Sequence, residues 1–98
     1  MNIQAMMNQA KKLQGDMEKV KRELNNTIYT GSSGFIKISI YGNLKVDKVE
    51  ITEDNLEDVE KEMLEDMLKI SLTQALDKLN KDKESKLSKF GSGMQGLL

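Results

Sequence analysis

Along the first twenty-four positions Ile3, Met6, Ala10, Leu13, Met17, Val20 and Leu24 recur at alternating spacings of three and four. With about 3.6 residues per turn, this a/d heptad repeat lines up as one narrow apolar stripe of the kind that packs along another helix. The spacing predicts a helix over about residues 2–25, closed by the weak helix formers Asn25 and Asn26 and by β-branched Thr27 and Ile28. Burying each larger side chain contributes on the order of 1.5–3 kcal/mol, so a wet stripe would forfeit about as much as a small domain's whole net stability. The stripe requires a partner, and the reading is an obligate dimer with these seven residues as its seam.

The apolar period then changes from helical to two. Thr27 to Thr30 reads as a short strand and Gly31-Ser32-Ser33-Gly34 as a loop. Ile36, Ile38 and Ile40 alternate with Lys37, Ser39 and Tyr41, the period of a half-buried strand. Gly42-Asn43 fits a two-residue hairpin turn with glycine at the position needing positive φ. The next strand, Leu44 to Thr52, keeps Leu44 and Val46 in phase but then carries Val49 and Ile51. A β-bulge near Asp47-Lys48 would return both pairs to one face. Residues 27–52 are thus expected to form a three-stranded antiparallel meander with one apolar face.

The acidic run 53–62 reads as the head of a last helix over about 55–89. Thr52, Asp54 or Asn55 would cap it, and carboxylates in its first turns suit the positive end of the helix dipole. Leu56, Val59, Met63, Leu64, Met67, Leu68, Leu72, Ala75, Leu76 and Leu79 follow at helical spacing and are expected to cover the sheet. Beyond Leu79 only Leu87 and Phe90 interrupt a polar end, and residues 91–98 read as a flexible tail. The fold class is α+β: a single domain over 1–90 in the order α-β-β-β-α, with two long helices flanking the meander.

Composition sharpens the need for a partner. Ninety-eight residues with 38% hydrophobic and 32% charged positions leave little to fill a self-sufficient core, and oligomerisation is the remedy. The net charge of −1 conceals a segregated pattern. Residues 1–24 hold five cations against three acids, and residues 25–49 three against one, each +2; residues 50–66 hold nine acids against Lys61 alone, −8. From Lys69 onward six lysines face three acids, +3, so one molecule can carry separate basic and acidic surfaces.

The same order of features resembles a known family. A first helix dotted with Met and Gln, a Thr-Gly loop into a glycine-marked hairpin, and the spaced set Val46, Val49 and Ile51 come first. Leu64-Glu65-Asp66-Met67 in an acidic-headed helix, Ala75 one helical repeat on, and a closing Gly93-Met94-Gln95 complete it. Together these resemble the YbaB/EbfC family of small bacterial nucleoid-associated proteins over nearly the whole chain. The chain departs from it at Ser32-Ser33-Gly34, where relatives are richer in glycine, and at Gly42-Asn43, where relatives often show Asn-Gly. The resemblance implies a tweezer-shaped homodimer, a cytoplasmic location at the nucleoid, and duplex DNA binding without catalysis.

The residues themselves offer two candidate DNA-binding patches. With Ile3 at heptad position a, Lys11, Lys12, Lys19 and Arg22 fall on the outer face opposite the seam, with Gly15 among them. Such a stripe can follow a phosphate backbone, each neutralised phosphate releasing counterions. Lys78, Lys81 and Lys86, with Lys83 and Lys89, form the second patch, diluted by Asp77, Asp82 and Glu84. The alternative for both is plain solvated helix surface, with Lys19–Glu23 and Glu18–Arg22 forming ordinary ion pairs. Aromatics are too few for stacking on unpaired bases.

Other chemistry has little to stand on. The chain has no histidine, cysteine or tryptophan, no phosphate-binding glycine loop and no nucleophile elbow, so neither an enzyme nor a cofactor is expected. The acids of 50–66 match no calcium-loop spacing, and no metal site is expected. No apolar run approaches the roughly 20 residues that cross a bilayer, and the start lacks the pattern of a secretory signal, so no membrane partner and a cytosolic location are the default. The competing function is a dimeric adaptor that binds another protein through the seam, the acidic patch or the tail, with DNA affinity incidental.

Overall fold

The computed structural model describes residues 2–91. Helix α1 (Ile3–Asn26) is followed by strands β1 (Ile28–Ser33), β2 (Ile36–Tyr41) and β3 (Val46–Ile51), then helix α2 (Lys61–Leu87) and a single 3-10 turn, Ser88–Phe90. The strands form one antiparallel sheet in the order β1-β2-β3, the expected meander. The molecule is a rod, with extents of 72 × 19 × 14 Å.

Local chemistry sets the ends of α1. The Asn2 Oδ1 accepts from the Gln4 N–H at 3.0 Å, satisfying one of the unpaired amides of the first turn. At the other end the Thr27 N–H donates to the Leu24 carbonyl and its hydroxyl to the Glu23 carbonyl at 2.6 Å, and the extended backbone of Thr27 then enters β1. The expected bulge is present. Ser39 pairs with Lys48 and Ile40 with Val46, leaving Asp47 unpaired, and Val46, Val49 and Ile51 lie opposite Ile40, Ile38 and Ile36 on one face.

Three expectations are corrected. First, Gly31, Ser32 and Ser33 are not loop: they continue β1 and pair with Ile38, Lys37 and Ile36, so the turn is only Gly34-Phe35, with Gly34 at φ +55°. Second, Gly42 does not carry the positive φ of the second turn. Leu44 does, at +71°, and Gly42 is required because a Cβ there would lie 1.8 Å from the Leu24 carbonyl oxygen at the end of α1. Third, α2 begins at Lys61, with Glu60 as its N-cap and no side-chain capping bond, so Thr52, Asp54 and Asn55 do not cap it. Segment 52–60 is irregular. Helical spacing there would set Glu53 against Glu57 and Asp54 against Asp58 with no cation to offset them. Local side-chain bonds supply the alternative: Asn55 Oδ1 accepts from the Glu57 N–H at 3.0 Å and Glu53 Oε1 from the Asn55 N–H at 3.3 Å.

The core lies between α2 and the first two strands. Tyr29, Ile36, Ile38, Ile40, Ala75 and Leu79 are buried together, with Phe35, Leu64, Met67 and Leu76 packed around them. The contact is close because its central residues are small. A Cβ on Gly31 would fall 1.9 Å from the Ser71 carbonyl oxygen and 2.7 Å from the Ala75 nitrogen, so the backbones of β1 and α2 nearly touch. The Ser71 hydroxyl donates to the Ile36 carbonyl, which satisfies it inside this seam. Seating α2 on β1 and β2 leaves β3 uncovered. The apolar stripe of α2 therefore covers only part of the sheet, and Met63, Leu68 and Leu72 stay exposed.

Candidate nucleic-acid interface

A second, smaller cluster fixes α1 to the rest of the molecule. Val20 and Leu24 are buried against Leu87, with Phe90 packed beside them. N-terminal to this anchor, every described residue through Asp16 is exposed. At about 1.5 Å per residue, Ile3–Asp16 is an arm roughly 20 Å long standing clear of the core.

Lys11, Lys12, Lys19 and Arg22 are all exposed on this helix. Among the described residues the ion pairs are Lys48–Glu50 and Lys86–Asp82, so the Lys19–Glu23 and Glu18–Arg22 pairs do not form and the four cations are free. Gly15, on the same face, has nothing within 4 Å of a built Cβ, so no packing demands its glycine. The C-terminal lysines differ. Lys78 donates to the Thr30 carbonyl at 2.7 Å, Lys86 is bound to Asp82 at 3.0 Å, and Lys81 is exposed. Lys78 and Lys86 thus tie α2 to β1 and to its own preceding turn.

The Lys86 pair belongs to a small network. The Tyr29 hydroxyl donates to the same Asp82 Oδ2 at 2.6 Å. That bond, with the Lys86 ammonium, holds the Asp82 carboxyl below the usual carboxylate range despite some desolvation. Burial, reinforced by Asp82, pushes the Tyr29 hydroxyl up to about 12. On the sheet the Lys48–Glu50 pair, at 2.8 Å, lowers the Glu50 carboxyl and raises the Lys48 ammonium.

The seven seam residues divide. Val20 and Leu24 are consumed within the chain, Met17 is half-buried, and Ile3, Met6, Ala10 and Leu13 are open, Ile3 at 72% exposure. A second apolar surface was not legible from spacing. Gln74 and Lys78 bond to the β1 backbone, so Leu68, Leu72 and Leu76 stand on the opposite flank of α2, beside the bare face of β3. There Val46 is 62%, Val49 54% and Ile51 48% exposed. The signal was present as the in-phase set Val46, Val49 and Ile51; which strands α2 covers was not.

Among the described residues no group of three or more acidic, histidine or cysteine side chains is placed to hold a metal ion, and no helix is long and apolar enough to cross a membrane. The acidic residues 53–60 are an exposed connection, Val59 alone being half-buried. The flexible tail expected over 91–98, with Gly93-Met94-Gln95, lies outside the described residues apart from Gly91.

Residues 1–94 match the YbaB/EbfC DNA-binding family. A nucleoid-associated protein of Rickettsia prowazekii (strain Madrid E) is 36% identical over 95 residues, covering 95% of this chain and 89% of its own. One from Rickettsia canadensis (strain McKiel) is 36% identical over 89 residues, with 89% and 83% covered. The crystal structure of an uncharacterized protein from Helicobacter pylori superposes with a TM-score of 0.70 over 87% of this chain and 91% of that one, at 18% identity, which establishes the shared fold.

Proposed function

The chain belongs to the YbaB/EbfC DNA-binding family, and we propose that it acts at the nucleoid as a homodimer that holds duplex DNA with the basic faces of its two α1 arms. One observation carries the choice of surface: among the described residues Lys11, Lys12, Lys19 and Arg22 are exposed and without an ion pair, on a helix whose first half is exposed throughout. Cations spaced along a free rod match a line of phosphates, and each contact adds affinity without regard to sequence. The lysines of α2 contribute less, because two of the three candidates are already bonded within the protomer. The segment 50–66, at −8, repels a polyanion and so favours orientations on the duplex that keep it at a distance. The role is binding rather than catalysis, with no cofactor.

Self-association is supported by the surfaces the protomer cannot cover. Val46, Val49 and Ile51 on β3 and Leu68 and Leu72 on α2 are large apolar side chains that the protomer leaves exposed, and a second copy would cover them. We assign the dimer to this surface. A second copy seated there leaves both arms projecting, and the open part of the α1 seam, Ile3 to Leu13, remains available along their length. Fluorescence anisotropy of a labelled random duplex at low and moderate salt tests the reading. A steep fall in affinity with salt is expected, and undetectable binding at low salt would favour the adaptor function.

A further inference from the structure

Where α1 ends, the β2–β3 turn and α2 close around a cavity of about 230 Å³. Its buried floor is Leu24, Leu79 and Tyr29, brought together from α1, α2 and β1. Its polar lining residues are Lys21, Asn25, Asn43, Asn80 and Lys83, the Asn43 Oδ1 already accepting from the Lys45 N–H at 3.0 Å, and no acidic residue is among those that line it. The wall on the turn side is held in an uncommon conformation. Leu44, 65% exposed at the rim, sits at φ +71°, which a branched side chain rarely adopts, while Gly42 brings the turn against the end of α1.

We propose that this cavity binds a nucleotide, with the base on the Leu24–Leu79 floor and the phosphate answered by Lys21 and Lys83. Two ammonium groups without an opposing carboxylate select an anion. Carboxamides pair donor and acceptor in one plane, the pattern that matches the edge of a nucleobase. The volume falls below the roughly 300–1,000 Å³ that encloses drug-sized ligands, so it admits one base and leaves sugar and phosphate at the mouth. The nucleotide arrives either free or as the terminal residue of a DNA strand. The choice of a nucleotide over other organic anions rests on the DNA-binding reading, but the site uses none of the four arm cations of that reading, Lys21 being next to Arg22 in sequence.

The test is a titration of the isotope-labelled, full-length protein followed by the side-chain amide resonances of Asn25 and Asn80. Deoxyadenosine monophosphate is expected to shift both, and Lys83→Ala to weaken that binding by roughly tenfold, the loss of one charge-assisted hydrogen bond. A second variant, Asn80→Ala, changes an exposed helical position, keeps the fold, and is expected to weaken nucleotide binding while leaving the affinity for closed circular DNA unchanged. Shifts produced by a short blunt duplex with phosphorylated ends, but not by circular DNA, assign the source to strand ends; shifts with the mononucleotide alone assign it to the free ligand. Equal shifts with inorganic phosphate, or none with either nucleotide source while circular DNA still binds, overturn the proposal and leave the DNA-binding reading standing. Loss of circular DNA binding by the parent overturns that reading instead.

Discussion

The Tyr29 hydroxyl and the Asp82 carboxylate meet at 2.6 Å across 53 positions of chain, joining β1 to α2 close to where α1 is anchored. Lys86 closes on the same carboxylate oxygen. The pH dependence of this clip follows from its two partners. Asp82 is held below its ordinary range, chiefly by the bond from Tyr29, so its contribution is present at neutral pH and is lost as pH falls through the carboxylate range. Tyr29 is raised from 10.0 to about 12, so its contribution is full below pH 10 and is lost as pH climbs toward 12. Tyr29→Phe is expected to cost about 1 kcal/mol at neutral pH, the net worth of one hydrogen bond, and to flatten both flanks of the stability profile relative to the parent. Thermal melts across pH check it; identical profiles for the two proteins would remove the clip from the account.

Three glycines in this chain give three different outcomes on substitution by alanine. At Gly31 and Gly42 the new Cβ would sit under 2 Å from the backbone carbonyl oxygens of Ser71 and Leu24, so an element must move. Each is expected to cost about 1–3 kcal/mol or more, Gly31 by lifting α2 from the sheet and Gly42 by loosening α1. Gly15 has open space around it in mid-helix, and Gly15→Ala is expected to stabilise by about 1 kcal/mol. Chemical denaturation of the three variants measures this, and a tolerated Gly31→Ala would contradict the close packing of β1 on α2.

The dimer assignment divides two substitutions that spacing alone would rank together. Val49→Asp places a charge in the middle of the β3 patch, where a second copy would bury it, at a cost of several kcal/mol to association. Leu13→Asp changes the exposed arm, already wet in the protomer. Sedimentation is expected to show a monomer for Val49→Asp and an unchanged dimer for Leu13→Asp. The reverse result would return the interface to the α1 seam.

Elements governed by nearest neighbours in sequence were legible; those governed by approach in space were not. The heptad stripe predicted α1, and the phase slip between Val46 and Val49 predicted the bulge at Asp47, because both are properties of one short segment. The requirement for glycine at 42 was also legible, but its reason was not. A turn pattern suggested positive φ, whereas the cause is the Leu24 carbonyl, eighteen positions earlier in the sequence. The start of α2 was misplaced because dipole and capping arguments favour acids at a helix head without weighing their mutual repulsion over 53–60. Helical phase marks the arm cations, while their freedom from ion pairs among the described residues depends on side-chain placement in the fold. The cavity beside Tyr29 draws on both helices, β1 and a turn, and no local pattern marks it.

Replacing Lys11, Lys12, Lys19 and Arg22 together by alanine tests the arm as a DNA-binding element. All four are exposed and alanine favours helix, so fold and dimer are expected to persist. If these cations hold phosphates, affinity falls alike for every duplex, and the slope of log affinity against log salt flattens by about 0.9 for each contact removed. Neutralising Glu57, Asp58, Glu60 and Glu62 is the matched control. Removing negative charge cannot weaken attraction to a polyanion, so binding is expected to stay constant or rise slightly. The two variants move net charge by the same amount in opposite directions but alter different places, which separates a local contact from a bulk charge effect. If overall charge alone governed binding, the acidic variant would gain as much as the basic one loses. Unaltered binding by the arm variant would move the DNA contact to α2, where Lys81 is exposed while Lys78 and Lys86 must first release Thr30 and Asp82.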